Sequence, residues 1–117
     1  MRLVFGRCDS RVEEHGLAVW RWLIETVHAR WPGADVRYHA YSGLNHRHWR
    51  VLLPSGRYFV LAMTEETLEA LGPAEIAARI EASGWLERAP ALSSTGALLT
   101  RDGALVDWEP HAGAATL

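Results

Sequence analysis

The residues with the most evident chemistry fall in one stretch of the chain. His39, His46 and His48 are interleaved there with Arg37, Arg47, Arg50 and Arg57, and with Tyr41 and Tyr58. Imidazole is a common ligand for zinc and other transition metals, but a protein zinc site needs at least three ligands. No cysteine pair or H-E-x-x-H pattern accompanies these histidines, and the neighbouring arginines repel a cation, so the expectation is no metal and no cofactor. The arginines point elsewhere. A planar guanidinium binds phosphate or carboxylate through two parallel hydrogen bonds, and aromatic rings beside it offer platforms for bases.

Cys8, the only cysteine, stands between Arg7 and Arg11 just ahead of an expected helix start, where helix dipole and cations would lower a thiol pKa. A phosphatase loop would need arginine at position 14, which is Glu14. Cys8-Asp9-Ser10-Arg11 resembles the C-x-D-x-R stretch of β-carbonic anhydrases, one residue short and without the later H-x-x-C. Cys8 therefore reads as a small buried residue. The glutamates 65, 66, 69, 75 and 81 read as wet helix faces, and no glycine-rich phosphate loop precedes a helix. No catalytic residue is assigned, and the chain reads as a non-enzyme.

Composition sets the frame. At 117 residues with 49% hydrophobic and 22% charged residues, the chain suits one domain with one core, over residues 1–108, followed by a loose tail at 109–117. All 12 basic residues are arginine, which GC-rich codon usage explains as well as function does. No apolar run approaches the roughly 20 residues of a membrane span, and Met1-Arg2-Leu3-Val4-Phe5-Gly6 lacks a signal peptide's apolar stretch. With one cysteine, this predicts a cytoplasmic setting.

The pattern predicts the order β-α-β-β-β-α-(α)-β-β: an α+β fold with a small antiparallel sheet and helices on one face. Arg2 to Phe5 reads as a first strand. Ser10-Arg11-Val12-Glu13 reads as a capping box opening a helix that runs to Trp31, where Pro32-Gly33 stops it. Leu17, Trp20, Leu23, Ile24, Val27 and Trp31 form its apolar stripe, with Trp22 on the opposite side. Three strands follow, at 35–41, 48–53 and 57–63, the last two joined by a three-residue hairpin at Pro54-Ser55-Gly56. Trp49, Val51, Leu53, Phe59 and Leu61 then face the core, and Arg37, His39, Tyr41, His48, Arg50 and Tyr58 share the outer face. Thr64 caps a helix broken at Gly72-Pro73 and ended at Gly84, and Asp102-Gly103 marks a last hairpin. The order α-β-β-β-α is shared with double-stranded RNA-binding domains, whose basic loop and lysine-rich second helix are absent here.

Charge divides along the chain. Val36 to Met63 holds four arginines and no acid, whereas Thr64 to Arg88 holds six glutamates against Arg79 and Arg88. The favoured function is a protein-interaction module, a small adaptor, inhibitor or accessory protein of the kind a phage or mobile element encodes. Arg37, Arg47, Arg50 and Arg57 would steer an acidic partner, with Trp22 or Trp108 as anchor or homodimer contact. The alternative is a nucleic-acid-binding protein using the same face, with arginines on phosphates and Tyr41 or Tyr58 stacking. A small metal- or thiol-dependent enzyme is the remote third reading.

Overall fold

A computed structural model of the chain describes residues 2–41, 46–89 and 95–108, with side chains for 11–39, 46–89 and 96–107. The elements are α1 (Arg2–Arg30), β1 (Asp35–Tyr41), β2 (His46–Leu52), β3 (Tyr58–Thr64), α2 (Glu65–Ser83), α3 (Trp85–Arg88), β4 (Thr95–Leu99) and β5 (Leu105–Trp108). The fold is α+β, with five strands in the order β1-β2-β3-β4-β5.

Local chemistry sets most element ends. The Thr64 hydroxyl accepts the Thr67 amide at 3.1 Å and starts α2. Gly72, at φ 79°, kinks that helix just ahead of Pro73, and Gly84, at φ 71°, ends it in the left-handed region open to glycine. The β2–β3 turn is the expected glycine-bulge hairpin: Leu53 N donates to Arg57 O and Gly56 N to Leu53 O. Thr100 and Ala104 close the β4–β5 turn in the same way, and Gly103 takes φ 90°.

Several expectations are corrected. Residues 2–5 open α1 instead of forming a strand, so Ser10 lies inside a helix and its S-x-x-E spacing marks no helix start. Cys8 is accordingly seven residues into that helix, away from the free amides that would favour a thiolate. The sheet is mixed, because β3 and β4 run parallel, joined by the long α2–α3 connection that such a pair requires. The stripe of α1 is also rotated: Val12, Val19, Leu23 and Val27 are buried, whereas Leu17 is 37% exposed.

The helices and the inner sheet face enclose one core. Val36, Trp49, Val51, Phe59, Leu61, Met63, Ala97 and Leu99 meet α1, α2 and α3 through residues such as Leu23, Leu68, Ile76, Ile80 and Trp85. Phe59 packs edge-on against Trp85 at 5.2 Å, and Tyr38 stacks on Trp49 at the same separation. Gly16 is what brings α1 this close. Its carbonyl accepts the Trp49 indole N–H at 3.2 Å, and a Cβ there would overlap the Tyr38 hydroxyl. None of the described helices is long and apolar enough to cross a membrane.

Candidate functional site

Strand register lays out the face opposite the helices as rows. One row runs His39, His48, Ala62, Leu98, Val106; the next runs Arg37, Arg50, Val60, Gly96, Trp108. Asp35, Leu52 and Tyr58 form a third, and Tyr41, His46 and Thr64 a fourth. The expected grouping of Arg37, His39, Tyr41, His48, Arg50 and Tyr58 on one face therefore holds in register. For Tyr41 and Trp108 that is the whole statement, because their side chains lie outside the described ones.

Exposure is unequal across the rows. Val60 and Ala62, at the centre, are 2% and 1% exposed, and Gly96 is buried beside them. Arg37, Arg50 and Leu52, on the β1–β2 side, are exposed. Among the described residues, the exposed side chains of this face thus lie at its β1–β2 margin and, at the far edge, at Val106 on β5, which is 43% exposed. Arg37 donates to Asp35 at 2.8 Å, and the Arg50 guanidinium lies 5.3 Å over the Tyr58 ring. His48 is 8% exposed, and its ring stands 6.2 Å from that of His46. Burial, reinforced by His46, His39 and Arg50 nearby, lowers the His48 pKa from 6.5 to about 4. It is neutral near pH 7. Arg57 follows the turn, outside the two full rows and exposed.

Arg47 does not join this surface. It pairs with Ala40 and Met63, which puts it on the core side, 6% exposed. It donates to Glu13 at 2.6 Å, Glu65 at 3.0 Å and the Tyr38 hydroxyl at 2.9 Å. Burial alone would favour its neutral form, but the two carboxylates outweigh that and raise its pKa. Burial raises the Tyr38 pKa, so its hydroxyl stays protonated and is no base. The cluster can tie α1, β1, β2 and the start of α2 together by charge-assisted bonds. Its carboxylates are occupied by the guanidinium. The signal for it was present in the sequence, since Arg47 has the strand parity of Trp49, Val51 and Leu53 and differs from that of His48 and Arg50.

Other expected features are redistributed as well. Trp22 is half-buried against the core, which removes it as an exposed anchor on the back of α1. Four of the six glutamates in the acidic stretch carry an arginine: Glu65 with Arg47, Glu66 with Arg101, Glu75 with Arg79 and Glu87 with Arg30. The division of charge in sequence is largely closed within the fold. Among the described residues no group of three or more His, Cys, Asp or Glu side chains is placed to hold a metal ion. Comparison with known proteins gives no matching family model, curated protein or solved structure.

Proposed function

We propose that the chain is a non-enzymatic protein-interaction module, a small adaptor, inhibitor or accessory protein, that receives an acidic partner at the β1–β2 margin of its sheet. One observation carries this reading. Arg37, His39, His46 and Arg50 are gathered on that margin with Asp35 as the single acid among the described residues there, while both long helices pack on the opposite face. Exposed Leu52 and the Tyr58 ring add apolar contact to the charge. A cytoplasmic setting belongs to the same proposal and rests on the single cysteine.

The second reading, nucleic-acid binding, is favoured by the guanidinium of Arg50 over Tyr58, an arrangement that can also sandwich a base. It loses ground with Arg47, whose charge is neutralised inside the fold and reaches no phosphate. Fluorescence anisotropy of a labelled glutamate-rich peptide against the purified chain tests the choice. Micromolar-range binding that weakens at least about fivefold on Arg50→Glu supports the module. Binding of a labelled oligonucleotide in its place, with the same loss on Arg50→Glu, would transfer the site to nucleic acid.

A further inference from the structure

We infer that β1 recognises its partner by strand addition: an extended segment of alternating acidic and apolar residues pairs with the outward backbone of Tyr38 and Ala40. The inference rests on the acidic-partner reading and adds the mode of recognition.

The hydrogen-bond phase of the sheet identifies the outward groups. The Leu53–Arg57 bond closes the β2–β3 hairpin, so Leu53, Val51, Trp49 and Arg47 turn their backbone groups toward β3. In an antiparallel ladder the intervening residues, Leu52, Arg50, His48 and His46, then bond to β1. Their partners are Asp35, Arg37, His39 and Tyr41. Val36, Tyr38 and Ala40 are therefore left with amide and carbonyl pointing out of the sheet edge. An independent contact agrees: the Trp20 indole N–H donates to the Val36 carbonyl at 2.9 Å. That contact closes one end of the edge and leaves Tyr38 and Ala40 as the place for an added strand.

Edge strands are commonly blunted by charged side chains, proline or a bulge. Asp35–Tyr41 contains no proline, pairs with β2 without a bulge over its seven residues, and has its two charged side chains, Asp35 and Arg37, paired with each other on the outer face. The chemistry on its two sides differs, which specifies the occupant. A strand added here sets alternate side chains on opposite faces. Those on the outer face stand beside Arg37 and His39, where carboxylates are favoured. Those on the inner face meet the near side of α1. Trp20 packs there on Tyr38 at 5.7 Å, and Leu17 and Ile24 lie three residues before and four after it, on the same side of the helix. Leu17 is 37% exposed, and Ile24 is partly buried at the margin of the core. Main-chain bonds would supply affinity, and this two-sided pattern would supply selectivity.

The test uses the whole chain, labelled with nitrogen-15, and a blocked heptapeptide alternating glutamate and valine, with a lysine–valine peptide as charge control. The expected result is that the glutamate peptide alone slows exchange of the Tyr38 and Ala40 amides by about tenfold or more. Ala40→Pro removes only an outward donor, a position where an edge strand tolerates proline, and is expected to weaken binding at least about fivefold. Shifts at His39, Arg50 and Leu52 with unchanged exchange at Tyr38 and Ala40 would overturn strand addition and leave the acidic-partner reading standing. No binding of the peptide at millimolar concentration, with binding of an oligonucleotide, would overturn both. Protection of the same two amides in the protein alone, rising with concentration and dimer mass, would make the occupant a second copy and overturn the partner proposed here.

Discussion

His48 shows how one residue type acquires different chemistry from its place in a sheet. On sequence it is one of three neighbouring histidines; in the fold it is buried in a row between His39 and Ala62, with Arg50 two residues on. Burial and those neighbours oppose its protonation, and its pKa falls from 6.5 to about 4. The unfolded chain therefore binds a proton that the folded chain does not, throughout that interval. The associated stability is complete above about pH 6.5 and is lost as pH falls toward 4. A shift of this size corresponds to roughly 3 kcal/mol. Urea denaturation at a series of pH values should show the midpoint falling between pH 6.5 and 4, with His48→Asn flattening that part of the profile. An unchanged slope in the variant would mean that another group carries it.

At the scale of elements, Arg47 is the cross-link between α1, β2 and the start of α2, and its energetics are asymmetric. Removing the guanidinium leaves Glu13 and Glu65 partly exposed and able to recover water, whereas removing both carboxylates leaves a buried cation without counter-charge. A buried charge stripped of its partner costs about 3–5 kcal/mol, and an apolar replacement of similar volume often costs far less. Glu13→Gln with Glu65→Gln should thus destabilise the fold more than Arg47→Met does, by about 2 kcal/mol, measured by denaturant midpoint. The reverse order would mean that the cluster does not carry its charge inside. Element ends with a single chemical cause were readable from sequence: Pro54-Ser55-Gly56, Thr64, Gly72-Pro73 and Gly84. Two kinds of signal misled. Leu3-Val4-Phe5 is too short for periodicity to separate a strand from a helix turn. Ser10-x-x-Glu13 has capping-box spacing, but spacing alone does not show that the helix begins there. Arg47 turns to the core because β2 begins at His46, two residues before the predicted start, which gives Arg47 the parity of Trp49.

Across the whole molecule, folding decides how much of the apparent charge pattern is available to a partner. The sequence offers four arginines in a stretch without acid, and four phosphate contacts would give a salt slope of about −3.6 on duplex DNA. The fold removes Arg47 outright and sets Arg37 against Asp35, so Arg50 and a shared Arg37 remain on the two central rows, with Arg57 beyond the turn. The acidic stretch is similarly occupied by Arg30, Arg47, Arg79 and Arg101. The three exposed pairs, those of Arg30, Arg79 and Arg101, contribute about 0–1 kcal/mol each to stability, but they do cancel the field that would steer a polyanion. Duplex DNA should therefore bind weakly, with a logarithmic salt slope of about −2 or shallower, and with little retained near physiological ionic strength. Anisotropy of a labelled random duplex across a salt series reads that slope directly. A slope near −4, kept in an Arg47→Met variant, would show that other cations converge on the duplex, and the sheet margin would then have to be read as a phosphate-binding surface.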